Sequence, residues 1–272
     1  MTVFLNQDLA FKIESDLREG NKQVIEAWNR SGFGTTAKAI EVGNSLSVYG
    51  GSECPVNETV GLGMLSPVEE SVLVEIEEFY HLNNHSAVIR VCPLAHSSLI
   101  ELTQKRGYIL NSFSYRWILD LSAWRSSFDL SDPRIRIATS NEEMEWARAV
   151  AAGFNDVDDV SKEQNLDLDR AFFRMQNSIP VLATENEVVA AGGILAINHE
   201  IAALFATSTR PSYRKRGLQT ALLDWRLRFA KDNGARIATI ETDPGSDSQR
   251  NAERVGFRLA YVTAELIKPV SN

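Results

Sequence analysis

The sequence predicts an α/β (mixed α+β sheet) protein built as two tandem halves that repeat one order of elements. Three observations lead there. Apolar runs of strand length alternate with amphipathic helical stretches along the chain. A short helix ends at glycine before a closing strand in each half, at Gly107-Tyr108 and again at Gly256-Phe257. A stretch rich in Ser and Asp and closed by proline, Trp124–Pro133, reads as a linker. The expected division is a first domain over 1–123, a linker over 124–133 and a second domain over 134–272.

The second half shows the order most plainly. Asn141 to Phe154 is a helix capped by Ser140 or Asn141, with Glu142 and Glu143 in the first turn, where the helix dipole favours acids. Leu166 to Met175 is a second helix. Val181–Thr184, Val188–Ala196 and Ile201–Thr207 are strands, the first opened by Pro180. Leu218 to Lys231 is an amphipathic helix that stops near Asn233-Gly234. Ala235–Glu241 is a strand, Ser246–Val255 a short helix closed by Gly256, and Phe257–Ile267 the last strand. Gly256 follows Gly107 by 149 residues, and the same offset carries Val88–Val91 onto Ile237–Ile240 and Val72–Phe79 onto Ala221–Arg228. A duplication of architecture accounts for this; a rhythm common to any two α/β halves is the alternative.

Bulk properties bound the function. Hydrophobic residues make up 44% of the 272, ample for a core, and no run of about 18 apolar residues suggests a membrane span. The N-terminal segment lacks a basic start, an apolar centre and a cleavage site, so no secretory signal is expected. Cys54 and Cys92 form no CxxC pair, and the four histidines show no ligand spacing. Neither a disulfide scaffold nor a metal site is expected, and a reducing cytoplasm is the expected compartment. The formal net charge of -8 argues against nucleic acid as a partner.

The most informative segment runs from Thr209 to Leu223, TRPSYRKRGLQTALL, between an apolar strand and a long helix. Pro211 ends the strand, Arg214, Lys215 and Arg216 place three cations at the turn, and Gly217 opens the helix. The first N–H groups of a helix lack internal partners and point outward, and the dipole adds partial positive charge. Glycine admits a phosphate close to the backbone. A solvated basic turn before an ordinary helix is the alternative.

Arg214-Lys-Arg-Gly217-Leu-Gln219 resembles the acyl-CoA loop of the GCN5-related N-acetyltransferases (GNAT), written [Q/R]-x-x-G-x-[G/A], with Pro211 and Tyr213 similar to that family's lead-in. Arg214 and Gly217 match; Gln219 stands where Gly or Ala is usual. The segment Ser246–Phe257 resembles the family's last helix and its closing Gly-Phe, and Ser248 and Asn251 share one helix face. The resemblance covers roughly 134–268. It implies an acyl-CoA N-acyltransferase fold with acetyl-CoA held by Ala206, Thr207 and Thr209 at the strand end, by Arg214, Lys215, Arg216, Gly217, Leu218, Gln219 and Thr220 of the loop and first helical turn, and by Ser248 and Asn251. For Ser248 the alternative is a plain helix cap, and for Asn251 plain exposure.

The first half's counterpart of this loop, Gly61 to Glu70, carries no basic residue and places Glu69 and Glu70 at the helix start, where they would compete with a phosphate. By the 149 offset Leu102 replaces Asn251. This half is expected to be a degenerate GNAT-like domain that binds no cofactor.

The resemblance implies transfer of an acyl group from acetyl-CoA to a primary amine of a small molecule. A base must deprotonate the ammonium, and a backbone N–H within Ala206–Thr209 would meet the oxyanion. Ala252 replaces the family's usual helix tyrosine, so Ser248, Tyr261 or water must protonate the thiolate. For the base Glu241, at the strand end, is favoured over Asp243; a salt-bridged carboxylate is the alternative role for it. The acidic run Asp156–Asp159 is either a solvated loop or the rim that draws in a cationic acceptor. Two rival functions stay open: a protein or peptide N-acetyltransferase, and a CoA-binding sensor or interaction module without turnover.

Overall fold

A computed structural model describes residues 3–34, 36–127 and 132–270. Phe128–Ser131, inside the expected linker, lie outside the described residues. Contacts gather the chain into two units, and membership does not follow chain order. One takes residues 3–117, 241–250 and 259–270; the other takes 118–127, 132–240 and 251–258, so the described ends of the expected linker fall inside the latter.

The first unit opens with α1 (Gln7–Arg30), whose Leu9 N–H is capped by the Asn6 side chain at 2.9 Å. Its apolar face buries Leu9, Ile13, Val24, Ala27 and Trp28. The strands are β1 (Lys38–Val42), β2 (Ser45–Tyr49), β3 (Thr59–Val60), β4 (Ala87–Val91), most of β5 (Ile109–Asp120) and β11 (Arg258–Lys268), in the order β1-β2-β3-β4-β11-β5. β11, the last strand of the chain, runs antiparallel to β4 from Ala264 opposite Val91 to Lys268 opposite Ala87. The helices α2 (Glu70–His81) and α3 (Ser98–Lys105) cover a core of Leu73, Ile76, Tyr80, Ile89 and Leu99.

The second unit holds β6 (Ile135–Ile137), α4 (Glu143–Phe154), α5 (Asp167–Arg174), β7 (Ser178–Glu185), β8 (Val188–Asn198), β9 (Ile201–Thr209), α6 (Leu218–Asp232), and parts of β10 (Ile237–Thr242) and α7 (Asp247–Val255). Its strands run β10-β9-β8-β7-β6; β6 through β9 are antiparallel neighbours and β10 is parallel to β9. Successive residues of a strand face opposite sides. Leu182 accordingly joins the cluster around Trp146, Ala147 and Val150 of α4, whereas Val181 and Ala183 join Leu218 and Leu222 of α6.

The helix at 143–154 is not capped by Ser140 or Asn141. A 3-10 turn, Ser140–Glu142, precedes it, and Thr139 forms a capping box with Glu142. Arg136 holds the Glu142 carboxylate at 2.5 and 2.8 Å, which keeps it within reach of the Thr139 N–H at 2.8 Å. The 149-residue offset relates β4 to β10, α2 to α6 and α3 to α7. Among the described residues no helix is long and apolar enough to cross a membrane.

Candidate active site

The centre of the second unit is a break in β9. On the β8 side, Ile194 pairs with Phe205 and Gly192 with Ser208, so Ala206 and Thr207 both face the single residue Gly193. This is a β-bulge. It drives Ala206 to φ +47°, a conformation that a residue with a Cβ seldom adopts. On the β10 side the parallel ladder runs only from Ile201 opposite Ile237 to Ala203 opposite Thr239. Among the described residues β9 continues to Thr209 without a β10 partner, so its backbone beyond Ala203 has no ladder on that side.

β9 leads through a short turn, Pro211–Tyr213, into α6. Gly217 sits at φ +79°, and the first intrahelical bond runs from the Ala221 N–H to the Gly217 carbonyl at 3.0 Å. No described residue accepts from the N–H groups of Lys215, Arg216, Gly217, Leu218, Gln219 or Thr220. A Cβ built on Gly217 meets nothing within 4 Å. Six consecutive backbone donors at a helix start are thus left without acceptors, next to open space at Gly217, which is what an anion requires.

The three cations of this turn divide their work. Arg214 does not reach outward: it donates to the Thr209 carbonyl at 3.1 Å and the Gly153 carbonyl at 2.8 Å, and pairs with Asp156. Arg216 pairs with Glu185 at 2.5 Å, donates to the Ser212 carbonyl at 2.8 Å, and lies over the Tyr213 ring. Lys215, at φ +62° and exposed, is the one of the three with no ion pair among the described residues. The Gln219 carboxamide oxygen accepts from the Thr209 hydroxyl at 3.1 Å, so this side chain, larger than the family's usual residue, turns back to the strand end.

The acidic run 156–159 clamps the turn. Asp158 accepts from both the N–H and the hydroxyl of Ser212, its carbonyl accepts from Arg210, and Asp156 holds Arg214. The Ser212 hydroxyl pulls the Asp158 carboxyl below the usual carboxylate range.

Arg226 was invisible as a site residue in the sequence. It is 2% exposed, and its guanidinium donates to the Leu222 carbonyl at 3.1 Å, the Ile194 carbonyl at 3.0 Å and the Thr207 hydroxyl at 2.7 Å. Burial pulls down its hold on the proton, the mark of a cation without a carboxylate partner. It pins one bulge residue to the facing strand. The available signal was its spacing: Arg226 lies four after Leu222 and four before Ala230, on the apolar stripe of α6.

Neither sequence-derived catalytic candidate survives its surroundings. Burial raises the proton affinity of Glu241, but Arg116 and Arg90, bound to its two oxygens, override this and hold its pKa at about 2. Such a carboxylate does not take a proton from an ammonium near neutrality; the salt-bridged alternative holds. Tyr261 is 4% exposed and donates to Glu14 at 2.6 Å. Burial and the Glu14 carboxylate push its phenol well above its ordinary range, too weak an acid for a departing thiolate. Both belong to a buried network of the first unit in which Glu14, Glu58 and Glu241 share Arg90 and Arg116. On α7, Ser246 and not Ser248 is the cap, accepting from the Gln249 N–H at 3.1 Å. Ser248 is exposed, Asn251 is half-buried and accepts from Arg254, and Ala252 is fully buried.

The first unit's counterpart of the cradle is closed from within. The Val68 N–H donates to the Ser98 hydroxyl at 2.8 Å, and the His96 N–H donates to the Gly63 carbonyl at 2.9 Å. Leu62 and Met64 are buried there, and Glu70 pairs with Lys105 and Arg106.

Comparison with known proteins agrees with this geometry. Residues 142–257 match the acetyltransferase (GNAT) family. No curated protein matches the chain. Among solved structures, a GCN5-related N-acetyltransferase from Kribbella flavida is similar over 96% of this chain and 96% of its own, with a TM-score of 0.68 at 16% identity. A tandem GNAT protein from the clavulanic acid biosynthesis pathway is similar over 93% of this chain and 96% of its own, with a TM-score of 0.59 at 9% identity. A GCN5-related N-acetyltransferase from Sphaerobacter thermophilus covers 85% of this chain and 75% of its own, with a TM-score of 0.55 at 15% identity. At these identities the likeness is one of fold: the acyl-CoA N-acyltransferase fold, in tandem.

Proposed function

From a chain whose residues 142–257 belong to the GNAT family, we propose an enzyme that transfers an acetyl group from acetyl-CoA to a primary amine of a small molecule. The observation that carries this is the ring of six unengaged N–H groups from Lys215 to Thr220 around the open face of Gly217. These donors suit the diphosphate of coenzyme A, with Lys215 as the free cation beside them. The β9 backbone beyond Ala203, left without a β10 ladder, suits the pantetheine arm, whose amides need backbone partners. Bound acetyl-CoA supplies an acyl group activated as a thioester. The bulge at Ala206–Thr207, fixed by Arg226, offers rigid main-chain N–H donors for the oxyanion. The first unit, its cradle closed, serves as scaffold. Two free cysteines suit a cytoplasmic setting.

Calorimetry with coenzyme A tests this reading. One equivalent is expected to bind, and Lys215→Ala is expected to weaken it about three- to tenfold, an ordinary value for one partly screened charge contact. Absence of any heat on folded protein would remove the reading's foundation. The clamp gives an independent check. Asp158→Ala is expected to loosen the turn at Ser212 and weaken CoA binding by about three- to tenfold, with the KM for the amine unchanged. An altered amine KM with intact CoA affinity would return the acidic run to the acceptor side.

A second reading is favoured by a specific observation: Glu241 and Tyr261 are both locked in ion pairs or hydrogen bonds, and Ala252 replaces the usual acid. On that reading the protein binds CoA without turnover. Thiol release from acetyl-CoA with small amines and with N-terminal peptides separates the readings; turnover of peptides alone would make the protein a peptide N-acetyltransferase.

A further inference from the structure

The short helix α5, Asp167–Arg174, lies beside the bulge. Its Phe172 packs edge-on against Phe205, the residue preceding Ala206, at 5.4 Å between centroids, and Phe173 packs against Trp146 of α4 at 5.6 Å. Asp169 precedes these two aromatics by three and four positions, so it shares their face of the helix. It is half-buried, and no cation or donor from another described residue meets its carboxylate.

The charged groups of the elements packed around α5 are engaged elsewhere, apart from the exposed Glu145. Glu143 of α4 takes both Arg170 and Arg174 at 2.7 Å each. Arg148 of α4 goes to Asp159 and to the Val160 carbonyl, and Glu145 is exposed. Glu185 of β7 pairs with Arg134 and Arg216. Burial, with no neighbouring charge to oppose it, raises the Asp169 pKa to about 7. A lone carboxylate that titrates near neutrality beside the proposed acyl site is what a general base requires.

We propose, building on the acyl-transfer reading above, that Asp169 binds the ammonium of the acceptor and takes its proton, and that this acceptor is a primary amine carried on an apolar group. The apolar part follows from the rim, where Phe172, Phe205 and Ala206 are half-buried and partly open. The single charge follows from the acids: on the face of α5 that carries Phe172 and Phe173, Asp169 is a carboxylate without a charged partner among the described residues. One ammonium proton passes to the Asp169 carboxylate. The freed nitrogen lone pair forms the C–N bond as the C–S bond breaks and the thiolate leaves with the electron pair. The second nitrogen proton goes to that thiolate, directly or through water, giving amide and thiol, and Asp169 returns its own proton to solvent.

The test compares wild type, Asp169→Asn and Asp169→Glu with acetyl-CoA and either 2-phenylethylamine or spermidine between pH 5.5 and 9. For wild type, kcat/KM is expected to rise through about pH 7 and to favour 2-phenylethylamine. Asp169→Asn is expected to lose about 100-fold or more together with that acidic limb, with CoA binding unchanged, and Asp169→Glu to recover part of both. A stability readout is independent of turnover. The raised group binds more protons folded than unfolded between about pH 4 and 7, so stability falls as pH rises through that window. Asp169→Asn is therefore expected to melt above wild type at pH 8 and to lose that slope. An Asn variant with wild-type rate and pH profile, or a preference for spermidine, overturns the proposal alone. A wild-type protein that acetylates no amine overturns it along with the acyl-transfer reading.

Discussion

Replacing Gly193 by valine is expected to lower the unfolding free energy by about 2–3 kcal/mol and to abolish the acyl transfer proposed above. A Cβ at this position would lie 2.7 Å from the Thr207 hydroxyl and 2.8 Å from Nη1 of Arg226. These are the two atoms that tie the bulge together, at 2.7 Å from each other. The added carbon cannot displace solvent, because Thr207 and the guanidinium occupy the space. Moving the guanidinium costs more than a steric shift: Nη1 holds both Thr207 and the Ile194 carbonyl, and each buried polar group left without a partner costs about 1–3 kcal/mol. The bulge would lose its anchor in the same event, so stability and turnover should fall together. Denaturant midpoints at constant m-value measure the first, acetyl transfer the second. A loss below about 0.5 kcal/mol would mean that the interior relaxes freely there.

Gly217→Asp is expected to separate stability from binding. Its backbone lies at φ +79°, which costs a side-chain-bearing residue about 1 kcal/mol. Nothing lies within 4 Å of the new Cβ, so no clash adds to this. Aspartate is ordinarily a good helix cap, but capping needs extended backbone at that residue, and Gly217 is left-handed. The carboxylate would instead stand over the six donors as a competing anion. Affinity for coenzyme A is expected to fall at least about 100-fold, equivalent to ~2.7 kcal/mol, while the melting temperature changes by a few degrees. Calorimetry and thermal unfolding on the same sample decide it; full CoA affinity would mean that the ligand approaches from elsewhere.

Short-range chemistry made parts of this protein legible before any coordinates. Pro211, the basic triplet and Gly217 write a strand-to-helix turn into six or seven consecutive residues, and the open donors follow from helix geometry alone. The doubled order of elements was equally local, carried by hydrophobic period and terminal glycines. What failed depended on partners distant in sequence. Glu241 looked like a base because its two guanidinium partners lie 151 and 125 residues away. Arg214 looked like a phosphate ligand because its actual acceptors, Asp156 and the Gly153 carbonyl, belong to another helix end and loop. Asp169 carried no motif; its character comes from burial, which a helix of eight residues does not announce. The cap at Thr139 was missed in favour of Ser140 or Asn141 because the choice depends on where Arg136 holds Glu142.

The place of β11 between β4 and β5 sets a timetable for synthesis. The strand that completes this sheet is made from residues 258–268, long after β4 and β5 have left the ribosome. At about 5–20 residues per second the nascent chain waits on the order of ten to thirty seconds for it. Until then β4 and β5 each lack one neighbour of the finished sheet, and an unpaired strand edge is a template for pairing with another chain. Maturation of strands made before residue 121 therefore awaits a strand made from residues 258–268.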